Sequence, residues 1–260
     1  MKIFSCIISL LCCLNLSAQN LYTSTSQVGF GSTDILDTYL SQEKFSDVGL
    51  TLLQSTEIQK SVNSRWTSMT EHELNFSMVT DRSGSREETY SDYHFFYGRY
   101  YNWQKGNLRL QAGGMLNTEL GFIYNTSNSN NPAQARLAIQ LMPTGTAAYD
   151  FKLWRRTLRL RYEMQLPLAG LMFSPNYGQS YYEIFSLGHY DHNVVPTTFV
   201  CAPNMRQQLS AEYPVSKHLT LRVGYLGHYQ QSRVNNLKTH IYNHRLMFGV
   251  VRRFSIIPRP

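Results

Sequence analysis

The sequence predicts an all-β, antiparallel transmembrane β-barrel, on three observations: alternation of period two, a shortage of charge, and no apolar run long enough for a spanning helix. The alternation is clearest in Leu108–Tyr124, LRLQAGGMLNTELGFIY, where Leu108, Leu110, Leu116, Leu120 and Phe122 fall on one face and Arg109, Gln111, Asn117 and Glu119 on the other. Leu158, Leu160, Tyr162, Met164, Leu166 and Leu168 alternate in the same way with Arg159, Arg161, Glu163 and Gln165. A helix would spread these charges around its circumference, whereas a strand gathers them on one side. Charged residues make up 16% of the chain, against 42% hydrophobic and 13% aromatic, where soluble domains carry about 25% charge. So little charge leaves a water-facing surface poorly covered. Beyond the first twenty residues no apolar run approaches the roughly 18 that a helical span needs. In lipid only helices and closed barrels satisfy the backbone.

The chain opens MKIFSCIISLLCCLNLSAQN: basic Lys2, an apolar stretch Ile3–Leu16, then the small residues Ser17 and Ala18. This is the layout of a secretory signal peptide. Cleavage is expected near Ala18, with 1–18 as signal and 19–260 as one outer-membrane barrel domain. As a membrane anchor the run is shorter than the about 20 residues required. Cys12 and Cys13 raise a lipoprotein reading, but Leu11 and Cys12 stand where that processing wants a small residue. Cleavage would remove Cys6, Cys12 and Cys13 and leave Cys201 alone, so no internal disulfide is expected in an oxidising compartment. With Lys2 gone, 23 basic residues stand against 17 acidic, a formal +6. These cations are scattered, which argues against a nucleic-acid partner.

Weaker alternations run through Trp66–Thr80, Thr89–Trp103, Ala135–Asp150, Leu219–Ser232 and Tyr242–Phe254, joined by Tyr22–Gly31, Asp47–Glu57 and Met205–Tyr213. Each nearly or fully reaches the about 9 to 11 residues of a membrane strand. Connections at Gln104–Asn107, Lys152–Arg156 and Pro214–His218 are tight; those at Asp81–Glu88, Asn125–Gln134 and from Leu171 onward are longer and rich in Asn, Ser and Gly. Short periplasmic turns alternating with longer external loops are the barrel pattern. Trp66, Trp103 and Trp154 sit by the tight connections and mark an aromatic girdle at the periplasmic interface. Tallied as nine, the strands do not close on the even number that single-chain barrels have. Two more, at about Gln179–Tyr190 and Val194–Cys201, lead to an expectation of about twelve strands, with ten as runner-up. The rival fold is an exported β-sandwich or lipocalin-like barrel, whose polar face would be the outer one and should carry more charge.

LDTYLS (Leu36–Ser41), NSNNPAQA (Asn128–Ala135), FSPNYGQSYYEIFSLGHYDHN (Phe173–Asn193) and LRVGYLGHYQQSRVNNL (Leu221–Leu237) resemble an uncharacterised family of Bacteroidota outer-membrane β-barrel proteins, a domain of unknown function. The stretches span nearly the whole mature chain. The resemblance implies fold and location and carries no catalytic residue.

The polar faces of the best strands hold Arg109, Glu119, Arg159, Arg161, Glu163, Arg222 and Arg245. An Arg facing lipid near the midplane costs about 2–4 kcal/mol, so these are expected to face the lumen. There they form either an anion-drawing selectivity ring, as in a porin-like channel, or a salt-bridge network that seals the interior. Small barrels of about eight strands are filled while those of 16 are open; a narrow or plugged lumen is the expectation here. SPNYGQSYYEIFSLGHYDHN supplies Ser180, Glu183 and His189, residue types of a Ser-His-acid hydrolase. In an extended strand Ser180 and Glu183 would point to opposite faces, and Glu183 to His189 would span about 20 Å, so catalysis needs a folded-back loop. Tyr177, Gln179, Tyr181, Tyr182, Asp191 and His192 in the same stretch suit an external binding loop. His189, Asp191 and His192 are a weak metal signal, and His240 and His244, about 13 Å apart along one strand face, are too far apart to chelate. NTS at Asn125 matches a glycosylation acceptor only formally. No phosphate loop, zinc spacing or dinucleotide fingerprint is present, and no metal or cofactor is expected. The expected role is non-enzymatic, either narrow-channel passage of a small solute or surface ligand binding, in contact with outer-membrane lipid. The alternative is a lipid- or peptide-directed hydrolase.

Overall fold

The computed structural model describes residues 20–61, 64–129, 131–153, 156–216 and 219–256; the signal segment 1–18 and Trp154 lie outside them. Twelve strand segments and one short helix follow in order: β1 (Asn20–Asp37), β2 (Phe45–Gln59), β3 (Trp66–Asp81), β4 (Glu87–Lys105), β5 (Leu108–Asn125), β6 (Ala133–Leu153), β7 (Arg156–Gln165), β8 (Ala169–Phe173), α1 (Tyr181–Phe185), β9 (Val194–Thr198), β10 (Met205–Pro214), β11 (Leu219–Val234) and β12 (Leu237–Ile256). Antiparallel pairing runs β5-β4-β3-β2-β1-β12-β11-β10-β7-β6 and closes through β5–β6. The closed ring therefore has ten strands, not twelve.

The ten segments named from their period of two are, one for one, the ten ring strands. The tally of nine was one short, and with ten the directions alternate and close unaided. Nor does the segment 171–201 add membrane strands. β8 pairs with β6, the same strand that β7 pairs with, but Thr144 faces Gln165 and Leu141 faces Ala169. Three residues, Leu166, Pro167 and Leu168, thus oppose two, which is a β-bulge; Pro167 has no N–H to give the ladder. Leu166 and Leu168 still donate to Pro143 O at 3.1 Å and Leu141 O at 2.9 Å. β9 pairs with β8 as β10 pairs with β7. β8 and β9 are hence outer extensions of β7 and β10, beyond a bulge and the loop Phe199–Asn204. The expected strand Gln179–Tyr190 is instead a turn, α1 and further turns.

Asn20 pairs with Ile256, and the end of the barrel that holds them is called the near end. The facing ends of β2 and β3, of β4 and β5 and of β10 and β11 lie there. At the far end β11 and β12 meet in a two-residue turn with positive φ at both Asn235 (52°) and Asn236 (62°). That is the type I′ geometry, which Asn tolerates and which matches the strand twist.

Alternation resolves into two surfaces. Each ring strand presents apolar side chains outward: Phe30, Leu52, Phe76, Tyr97, Leu120, Ile139, Leu160, Leu209, Val223 and Phe248 are all exposed. On β5 the contrast between neighbours is sharp, Leu120 being 50% exposed and Glu119 4%. This outward apolar face rules out the sandwich and lipocalin-like alternatives, in which the polar face is outermost. Trp66 and Trp103 are exposed at the near end and pack on Tyr101. Inside, glycine allows close wall contact: a Cβ on Gly113 would lie 2.0 Å from Arg99 O.

Candidate functional site

The lumen is filled in layers. At the far end Ile35, Phe45, Val79, Tyr90, Ile123 and Ile241 form a fully buried apolar plug. Nearer the other end Met69, Phe96, Tyr100, Met115 and Met142 make a second apolar layer. Between and beside these lie paired charges. Arg206, from β10, reaches across the barrel: Nε donates to Glu73 at 2.7 Å, Nη2 lies 2.7 Å from both Glu71 and Glu73, Nη1 donates to Gln165 at 3.1 Å, and the guanidinium stacks 5.1 Å over the Phe96 ring. His228 Nδ1 is 2.9 Å from the other Glu73 oxygen. Arg161 bridges Glu57 and Glu163, both at 2.7 Å. Glu212 is shared by Arg222 at 2.5 Å and Arg253 at 2.6 Å. Arg245 is held by Thr51, Thr33, Asn243 and Ser32 O. Buried charges persist only when paired and hydrogen-bonded in this way.

The charged residues named from strand faces all sit on the inner side of the wall, but they do not form one ring. Arg161, Glu163, Arg222 and Arg245 are buried in pairs or networks, Glu119 binds Arg136 at 2.8 Å, and Arg159 holds Asp150 in a fork at 2.7 and 2.8 Å. Alternation puts Glu71 and Glu73 on the polar face of the Trp66–Thr80 strand, but sequence reading missed the hub Arg206, its partner role for them, and His228. The named set mixes acids and bases, and all of it but Arg109 is engaged with described partners.

Asp92, His94 and Glu119 bring ligand atoms within 4.8 Å of one another and are the one such group among the described residues. Asp92 is engaged by Tyr90, by His94 at 3.0 Å and by Gln230 at 3.0 Å, while Glu119 faces Arg136. The Arg136 guanidinium supplies the positive charge a metal would bring. His189, Asp191 and His192 form no such group.

The excursion from Leu166 to Asn204 folds over the far end. Ser180 caps α1: its Oγ accepts from Glu183 N at 3.2 Å and donates to the Glu183 carboxylate at 2.9 Å, which also accepts from Ser180 N at 2.7 Å. This capping box brings the two residues together through a helix turn, and the backbone hydrogen bond from Ser180, followed by its hydroxyl, lowers the Glu183 pKa below the ordinary carboxylate value. His189 meets Glu183 through its backbone N–H. Gln179 is a hub: it donates to His189 O at 2.9 Å and accepts from Asn176 N at 3.0 Å and Asn193 at 2.8 Å. Tyr181 anchors the excursion to the wall through Ala135 N at 2.6 Å and Gln134 at 3.0 Å. Asn235 ties the I′ turn to Ser174 O at 3.0 Å and His192 O at 2.8 Å, and Asp191 O accepts from Asn176 at 2.9 Å. Tyr177, Tyr182, Phe185 and Tyr190 are left pointing out, each more than 60% exposed.

A closed ten-stranded antiparallel barrel with an apolar outer wall and a filled lumen defines the class of protein. The chain belongs to the family described as a protein of unknown function (DUF3316), whose model matches residues 11–259. A comparison with curated proteins gives no match. Among solved structures the chain is similar to the outer membrane protease OmpT of Escherichia coli (9% identity, 93% of this chain and 99% of that one, TM-score 0.49). It is also similar to the translocator domain of the autotransporter NalP from Neisseria meningitidis (11%, 97% and 95%, 0.41) and to Neisserial surface protein A (9%, 90% and 97%, 0.40). At these identities the likeness is one of fold.

Proposed function

We propose that this is an integral outer-membrane β-barrel that acts by binding at its outer end and does not conduct solute through its lumen. The far end then faces outward and the near end the periplasm. The wall supports the membrane reading. At about 3.3 Å per residue the 18 residues of β5 run roughly 60 Å, and a tilt of about 40° leaves roughly 45 Å of height. That exceeds the apolar band of about 25 Å, so strands project beyond the bilayer. Export by a cleaved signal at Ala18 and a Bacteroidota origin belong to the same proposal, on the N-terminal layout and the resemblance given above.

The observation that carries binding over passage is the contrast between the two candidate regions. Apart from Arg109, the named lumen charges are engaged with one another or with buried polar groups, whereas Tyr177, Tyr182, Phe185 and Tyr190 stand exposed on an excursion locked by the Gln179, Asn193 and Asn235 hydrogen bonds. Large apolar groups held rigid in water mark a contact surface, and tyrosine is favoured in such surfaces for its area and polar tip. The test presents the folded barrel to an array of glycans and envelope lipids beside a Tyr182→Ser/Phe185→Ser variant. A ligand retained by the native barrel and lost by an equally folded variant supports the reading. A silent array together with stepwise ion conduction refutes it.

A further inference from the structure

We propose that the near-end mouth of the barrel is a binding site for a small phosphate- or carboxylate-bearing anion, with Arg109 as its principal ligand. A cavity of about 990 Å³ opens there, lined by Arg65, Arg109, Arg159 and Arg253, the single carboxylate Glu57, and amide and hydroxyl groups that include Asn102, Gln104 and Gln111. Its volume is at the upper end of the roughly 300–1,000 Å³ typical of small-molecule sites. The buried layer of Met69, Phe96, Tyr100, Met115 and Met142 lies further along the same strands, beyond Thr67 and Gln111 of its lining.

The charge of the chamber is unbalanced in one place. Glu57 and Glu163 are both held by Arg161, Asp150 by Arg159, and Glu212 by Arg222 and Arg253. Every carboxylate of this half of the lumen is therefore engaged. Arg65 donates to the Tyr101 hydroxyl at 2.8 Å. Arg109, half-buried on β5, makes no hydrogen bond or ion pair with another described residue; the Arg159 and Arg161 cations act on it and so do the Glu57 and Asp150 carboxylates, each of which is paired with another arginine. A partly desolvated guanidinium whose neighbouring carboxylates are already claimed by other cations is stabilised by an incoming anion. Its planar fork suits a two-oxygen group such as a phosphate or carboxylate. Gln111, whose amide donates to Asn102 at 2.7 Å, shares the inward face of β5 with Arg109. The neutral polar wall admits a polar solute and sets no further charge requirement. That the chamber faces the periplasm rests on the membrane reading above; anion binding does not.

The experiment is isothermal titration of the purified full-length barrel in detergent with inorganic pyrophosphate and, separately, with citrate at constant ionic strength. Because Arg109 bonds no described residue, Arg109→Gln is expected to fold, as judged by heat-modifiable gel migration, and Arg109→Lys keeps the charge without the fork. The expected result is saturable binding of at least one probe, weakened roughly tenfold or more in Arg109→Gln, weakened less in Arg109→Lys, and unchanged in Arg86→Gln, which alters an exposed cation at the other end of the barrel. No saturable heat with either probe, or equal affinity in Arg109→Gln, overturns the proposal. Binding that survives in all variants but falls with salt alone also overturns it, since that is diffuse attraction to a basic surface.

Discussion

Arg206 shows how one side chain decides the state of the lumen. It sits between Glu71 and Glu73 at 2.7 Å from each, and all three are buried. Removing it alone leaves two buried carboxylates side by side without their shared cation, with His228 in contact with Glu73 alone. Arg206→Ala should therefore cost about 3–5 kcal/mol, read as a lowered urea midpoint of the barrel refolded in vesicles. Replacing the whole set, Arg206→Met with Glu71→Gln and Glu73→Gln, should cost much less, because no charge is left unpaired. At the far end, Ser180→Ala should remove about 1 kcal/mol from α1 and leave the barrel's own unfolding unchanged, seen as faster amide exchange confined to the segment around 180–187. The same cap is pH-sensitive. Glu183 has its pKa depressed by the Ser180 backbone and hydroxyl bonds, so the cap's stabilisation is complete above the ordinary carboxylate pKa and is lost as pH falls through the depressed one. Protection of the amides around Ser180, taken relative to the intrinsic exchange rate at each pH, should fall in that acid window and stay constant between pH 6 and 8; Glu183→Gln should abolish the dependence.

Among the elements, the β11–β12 turn makes the separable prediction. Asn235 serves twice, adopting positive φ and binding the excursion at Ser174 O and His192 O. Asn235→Gly keeps the turn and the Tyr177 N bond to the residue-235 carbonyl but deletes the side-chain tether, so thermal unfolding of the barrel should barely move while protease cleavage within 174–193 speeds up; an unchanged cleavage rate would show that the side-chain tether is idle. The ring strands were legible because each is half-buried with opposite solvents on its two faces, which forces a period of two. What was not legible depends on single residues. The bulge at Leu166–Leu168 shifts register by one and turns a long strand into β7 and β8, and no alternation marks it beyond Pro167. The segment Gln179–Tyr190 was read as a strand although Ser180 and Glu183 are spaced as a capping box, the signal that announces α1. The inward face of the lumen charges was readable from spacing; their partners were not, since Arg206 and Glu73 lie 133 positions apart and periodicity says nothing about which strands face each other across a barrel.

For the molecule as a whole, ten strands enclose a lumen narrow enough for side chains to fill. The apolar plug, the paired charges and the methionine-aromatic layer lie one above another, so an open path would require several buried ion pairs to part at once. The account therefore separates an outer binding surface and a near-end chamber by a sealed interior. Its central claim is that seal, and single-channel recording of the purified barrel in a planar bilayer tests it most directly. The account predicts a folded, heat-modifiable barrel that inserts without discrete conductance steps. Discrete steps in the native protein, with anion preference in the reversal potential, would contradict it and make the lumen arginines the lining of a working pore.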